Sequence, residues 1–411
     1  MEEMKQANNW QRNATFFIIG QFLSMFGSMI VQYAITWHVT LMTQSGNILT
    51  LFTCASLLPM VIISPFSGVW ADRYNKKHMI IYSDGAIALV TLFVAILYFL
   101  GFQSIWLLLI AVIARSLGQG IQQPAVGSLI PQMVPKDALT RFNGIQSATQ
   151  SLTMFAAPMV SGALLTFLSL KYIFLIDIVT AIIGISIVFF CVKISHVMKQ
   201  KEPETGANIY FKEMMVGFSY IKKTSWLKTM FIAFAAVSFL CSPISLLSPL
   251  QVTRQFGDDV WRLATLEITF ALGMMTGSIL TSVWKGIKNS QLRIMVMTWF
   301  LIGCSTIFLG IVTNFWIYLS IFFLCGVIIP FYNITAITLM QTNTSEELMG
   351  RVYSVVSMIG GLASPLGMLI FGPLSDKIAI KWVMMLTGLM MLLGSFAIQK
   401  YQKLPNHELE M

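Results

Sequence analysis

Charge is scarce in this chain. Asp, Glu, Lys and Arg make up 10% of its 411 residues, 56% are apolar, and the mean hydropathy is +0.76. A water-soluble domain carries about 25% charged residues. So much apolar surface cannot be kept from water without lipid, which excludes a soluble globular protein. Histidine is scarcer still, with only His38, His78, His196 and His407. The five cysteines, Cys54, Cys191, Cys241, Cys304 and Cys325, all sit inside apolar runs. They read as small buried hydrophobes rather than a disulfide framework, and neither residue type shows metal-ligand spacing, so no metal is expected. No glycine-rich loop of the G-x-x-x-x-G-K-S/T type is present, so the chain has no ATP site of its own. No nucleophile–base pair or metal cluster is evident, which argues against an enzyme. Work against a gradient must then draw on an ion gradient, with a partner ATPase left open.

What the chain has is apolar length. Runs at 14–42, 47–70, 79–100, 104–130, 139–167, 170–192, 226–253, 260–284, 291–312, 315–340, 348–374 and 382–400 each suffice to span a bilayer. Backbone polar groups inside lipid must be satisfied within the segment, so the runs read as helices; a barrel would show short alternating segments. The first run lacks a cleavage-like end and reads as a retained helix. The fold class is therefore an all-α polytopic membrane protein with twelve transmembrane helices.

The 26 Lys and Arg residues are unevenly placed. Arg115 lies mid-helix. Lys171, Arg254, Arg262, Lys377 and Lys381 fall on one side, and the other twenty fall on the side that holds both termini. That asymmetry puts both termini in the cytoplasm. It also accounts for the net charge of +9 without a nucleic-acid partner. One long charged connection, 193–225, divides the helices six and six, giving bundles at 1–192 and 226–411. Within it, Ile209 to Ile221 has apolar residues at helical spacing and reads as an amphipathic helix on the inner surface.

The halves resemble each other. Leu139-Thr140-Arg141 and Leu348-Met349-Gly350-Arg351 open the fifth and eleventh runs, and Pro158 and Pro365, then Lys171-Tyr172 and Lys381-Trp382, follow at matching offsets. Such duplication marks transporters built from repeats around a central site.

The second run ends in S-G-V-W-A-D-R-Y-N-K-K, Ser67 to Lys77. Gly68 and Asp72 share a helix face; a small residue admits a neighbouring helix closely, and the acid one turn on can reach that neighbour. Gly68, Asp72, Arg73, Lys76 and Lys77 resemble the loop between the second and third helices of the major facilitator superfamily of transporters. Asn75 stands where that family usually has glycine, and Asn also tolerates a left-handed backbone. The second half's copy, V-W-K-G-I-K-N at 283–289, lacks the acid. In the fifth run, A-P-M-V-S-G (157–162) resembles the antiporter signature of drug exporters in the superfamily, with Pro158 and Gly162 matching. Across nearly the whole chain the likeness is to the branch typified by bacterial macrolide efflux proteins. It is carried by N-N-W near the start, G-V-W-A-D-R-Y-N-K-K, I-A-R-S-L-G, the acid in F-L-I-D-I, L-E-I-T-F-A-L-G-M, and G-R-V-Y-S-V-V-S-M-I with S-P-L-G after it.

Charges inside helices are costly in lipid and tend to face a cavity or a partner. Arg115 lies near mid-membrane, with Asp177 and Glu267 at comparable depths from the outer side. Glu267 reads as a proton carrier, with a structural role as the alternative. Arg115 and Asp177 read either as coupling groups or as a structural ion pair. Asp84 reads as structural, paired with the basic turn before it, and Asp72 as a gate residue. Cavity candidates are Gln21, Met25, Gln32, Tyr33, Trp37 and His38 on the first helix, Ser242 on the seventh, and Tyr332 and Asn333 on the tenth. Gln21, Met25, Ser28 and Gln32 recur at three- and four-residue spacing and share one face.

The resemblance implies a monomeric exporter of amphiphilic small molecules in the bacterial cell membrane. It works by proton antiport with alternating access, with no cofactor beyond the proton gradient and with protons and lipid as partners. Alternatives are a lipid, lysolipid or siderophore translocator of the same fold, and a non-transporting receptor or assembly partner.

Overall fold

Long apolar runs close their backbone hydrogen bonds internally because lipid offers no partner for them. In the computed structural model, which describes residues 2–135, 138–192, 215, 218–283, 291–344 and 346–401, they form twelve helices long and apolar enough to cross a membrane. These are α1 (Glu2–Thr43), α2 (Gly46–Arg73), α3 (Lys76–Phe99), α4 (Ile105–Met133), α5 (Leu139–Phe167) and α6 (Leu170–Ser186). After them come α7 (Ser225–Leu240, resumed at Ser248–Gln255), α8 (Val260–Val283), α9 (Gln291–Ile311), α10 (Phe315–Asn343), α11 (Glu346–Lys377) and α12 (Ile380–Tyr401). No strand occurs among the described residues. The chain is an all-α polytopic membrane protein.

Two expected helices depart from regularity. The end of α6 widens into a π turn, Ile187–Cys191, and a second π turn, Pro243–Leu247, interrupts α7. In α7 the cause is in the sequence: Pro243 and Pro249 lack the N–H that a regular ladder needs. Most of the amphipathic segment expected at 209–221 lies outside the described residues, as does the 284–289 part of the second motif copy.

The connections are short and capped by their own residues. Asn75 accepts from the amides of Lys77 (3.0 Å) and His78 (3.3 Å) and starts α3. Its backbone is extended (φ −67°, ψ 110°), so it stands in the turn as a helix cap and not as the left-handed residue expected. Asn314 starts α10 in the same way. Gln44, in the α1–α2 turn, is the one non-glycine residue with positive φ among those described (45°), a conformation that costs a side-chain-bearing residue some strain.

The helices group into two compact units. One comprises 1–39 and 55–210; the other comprises 40–54 and 211–411. The α1–α2 turn and its flanking helix ends thus belong with the second unit. In the first unit, α1 and α6 meet at Gly27, where an added Cβ would collide with Thr180 Oγ1. In the second, α8 and α10 cross with Gly273 against Gly326. Small residues at such crossings replace the hydrophobic driving force that lipid removes. Gly68 does not act this way, since a Cβ built there meets no atom within 4 Å. The close contact on its helix comes from Ser67, whose Oγ donates to the Gly120 carbonyl of α4 (2.6 Å).

Candidate functional site

Four helices of the first unit converge on one ion pair. Arg115 on α4 and Asp177 on α6 are each 1% exposed, with Nη1 and Oδ2 2.5 Å apart. Thr91 of α3 receives a bond from Arg115 Nη1 (3.1 Å) and donates to Asp177 Oδ2 (3.3 Å). From α1, Ser28 Oγ donates to Asp177 Oδ1 (3.2 Å), and the Ser28 carbonyl accepts from Arg115 Nη2 (2.6 Å). A buried pair holds its charges only when the remaining donors and acceptors are also met. Here Arg115 Nε alone lacks a partner. Of the two readings open from sequence, the geometry supplies the ion pair directly.

A cavity of about 450 Å³ opens beside this pair, bounded by α1, α3, α4 and α5. Gln21 and Met25 line it as expected, together with Ser28. Three aromatic rings, Phe17, Phe22 and Phe142, form apolar wall. The polar wall is one that sequence reasoning misses: Gln119, Gln122 and Gln123 share one face of α4, and Gln146 and Gln150 one face of α5. Amides at helical spacing inside apolar runs are the available signal, hidden because they carry no charge. Asp84 also lines this cavity, 6% exposed, with Gln122 Nε2 donating to its Oδ1 (2.7 Å). It does not pair with the basic turn. Lys77 Nζ instead donates to the Phe189 and Val192 carbonyls (2.8 and 2.7 Å), capping the π turn that ends α6. Arg73 is exposed and Lys76 half-buried, while the Asp72 side chain lies outside the described residues. Ala157, Pro158, Ser161 and Gly162 are all buried, and Ser161 Oγ donates to the Ile30 carbonyl of α1 (3.0 Å). The antiporter-like segment therefore seats α5 on α1.

Farther along α1, Gln32, Tyr33 and His38 are half-buried and Trp37 is 1% exposed, its ring 5.5 Å from that of Tyr33. In the second unit, Ser242 is buried against Gly367, with its Oγ donating to the Phe239 carbonyl (2.8 Å). Tyr332 stacks on Phe234 at 6.3 Å, its buried hydroxyl without a partner among the described residues, and Asn333 is exposed. None of these seven lines the first unit's cavity. Nor do they line a second cavity, about 540 Å³, formed by Gln251, Arg254, Gln255, Lys381 and Trp382 with their neighbours. Glu267 on α8 is half-buried and makes no hydrogen bond or ion pair among the described residues.

The second unit's polar centre lies at the α1–α2 turn. Asp376, near the end of α11, accepts from Ser45 Oγ (2.8 Å), the Gly46 amide (2.7 Å), and both the amide (2.9 Å) and Nδ2 (2.8 Å) of Asn47. Arg254 Nη2 adds a charged contact at 2.6 Å. Arg254 also donates to the Gln44 and Ser375 carbonyls. Asp376 thus caps α2 from more than 300 positions away, a role that no local sequence pattern carries. Among the described residues, no cluster of His, Cys, Asp or Glu is placed to hold a metal.

A profile of the Major Facilitator Superfamily matches residues 17–368. The chain is 28% identical to macrolide efflux protein A of Streptococcus pyogenes, over 94% of this chain and 95% of that protein. It is 22% identical to the staphyloferrin A transporter of Staphylococcus aureus, over 89% and 90% of the two chains. Among solved structures, that of a point mutant of the nucleoside transporter NupG superposes with a TM-score of 0.72 at 15% identity, covering 95% of this chain and 100% of its own.

Proposed function

The chain belongs to the Major Facilitator Superfamily, and from that premise we propose that it is a proton-driven exporter of amphiphilic small molecules of the macrolide type. The observation that carries this reading is the near full-length likeness to macrolide efflux protein A. A cavity walled by aromatic rings, methionines and amides supports it, because such a lining accepts a solute of mixed polarity.

In this reading the six-helix bundles at 1–192 and 226–411, joined by the 193–225 linker, alternate access to substrate across the bacterial cell membrane. Both termini are cytoplasmic, as the Lys and Arg asymmetry indicates. The protein acts as a monomer and needs no cofactor beyond the proton gradient. Glu267, an acid in a membrane-spanning helix with no hydrogen bond or ion pair among the described residues, is the proton carrier. Asp177 is the second acid, held ready by Arg115: protonation of Asp177 would release the arginine and loosen α1, α3, α4 and α6 together. Asp72 and Arg73, with Gly68, Lys76 and Lys77, form the cytoplasmic gate. Pro158 and Gly162 set the α1–α5 seat on which the cavity wall rests.

Export is tested by accumulation of a labelled macrolide in cells expressing the chain, with and without a protonophore. Lowered accumulation that the protonophore restores supports gradient-driven export; unchanged accumulation removes the macrolide assignment. A second reading, siderophore export, is favoured by the likeness to the staphyloferrin A transporter. The same assay with a labelled siderophore separates the two.

A further inference from the structure

Among the described residues, the cavity of the first unit has an acid in its wall and no base: Asp84 is the one ionisable group lining it, and the remaining polar groups are amides and hydroxyls. The nearby Arg115 is committed to Asp177 and supplies no spare positive charge. Asp84 is 6% exposed and has no ion pair among the described residues. Its carboxylate is held by Gln122, with Ser24 and Gln21 of α1 beside it. A buried carboxylate without a counter-charge is expensive even when hydrogen-bonded, and a structural role alone would be met more cheaply by Asn. The site thus holds one unneutralised acid among glutamine amides, flanked by Phe17, Phe22 and Phe142.

We propose that Asp84 is the charge-recognition residue of this cavity and that its occupant is an amphiphile bearing one positive charge. The cation lies against the Asp84 carboxylate. Acceptor oxygens of the same molecule meet glutamine amides of the lining, and its apolar body rests on the phenylalanines. This deepens the exporter reading and rests on it, but recognition is read by binding alone, so it can fail independently of transport.

The test uses the purified full-length chain and two probes of similar shape, the cation tetraphenylphosphonium and the neutral triphenylphosphine oxide. Equilibrium binding to the native protein should favour the cation at least ten-fold. Asp84→Asn should lower cation binding ten-fold or more and change that of the neutral probe less than two-fold; Asp84→Glu should keep the preference. If Asp84→Asn does not fold, Gln146→Arg adds a positive charge to the same lining and should produce the same selective loss. Equal losses for both probes, no loss for either, or no cation preference in the native protein would each overturn the proposal. Accumulation of labelled macrolide in cells decides the exporter reading separately.

Discussion

Two Arg–Asp pairs of nearly equal length do different work in this molecule. Arg115–Asp177 is 2.5 Å long with both side chains 1% exposed; Arg254–Asp376 is 2.6 Å long with exposures of 29% and 20%. The first joins helices α1, α3, α4 and α6 at one buried point. There each charge depends on the other, because water cannot replace a lost partner. The second pair sits at a turn within reach of solvent, where the ion pair itself is worth little. What counts at Asp376 is the set of neutral donors it gathers from Ser45, Gly46 and Asn47. Length alone therefore says nothing about worth; burial and the other bonds decide it.

The comparison can be broken most forcefully at Arg115. Arg115→Leu strands Asp177 without its cation and should destabilise the protein by about 3–5 kcal/mol. A large fall in the thermal unfolding midpoint in detergent would register this. Adding Asp177→Leu should recover most of the loss, since removing both charges also removes their desolvation cost. A small effect of the single change would mean that the pair does not hold the four helices.

Asp376→Ala should have a smaller, local effect. It takes the cap from α2 and should cost about 1–2 kcal/mol. Hydrogen exchange at the Gly46 and Asn47 amides is expected to rise about ten-fold or more, with little change at Asp177's neighbours on α6. The least effect is expected from Arg254→Gln, which leaves Asp376 its four neutral bonds. A cost below about 1 kcal/mol is the expectation for a partly exposed pair. If Arg254→Gln matched Asp376→Ala in exchange, the charge rather than the cap would hold the turn.

The same contrast explains what can be read from the sequence. The twelve helices are legible because lipid forces every long apolar run into one conformation. Arg115 and Asp177 stand out because charge within such a run is rare, though sequence does not choose between coupling and pairing. Asp84 reads as a partner of the basic turn because sequence distance suggests it. In the fold its neighbours are α1 and α4, while Lys77 serves the end of α6. Asp376 and Ser45 lie 331 positions apart, and only packing brings them together. Ser242 and Tyr332 suggest a cavity by their polarity, but polarity also serves the packing of buried helices, which is where both lie.

Proton coupling is the central claim, and one measurement tests it most directly. The chain is reconstituted into vesicles containing a pH-sensitive dye, and proton movement is followed when a macrolide is added. The expected result is substrate-dependent proton flux by the native protein that is lost in Glu267→Gln, with macrolide binding retained. Native protein that moves the macrolide without proton flux, or Glu267→Gln that still transports it uphill, would contradict the claim.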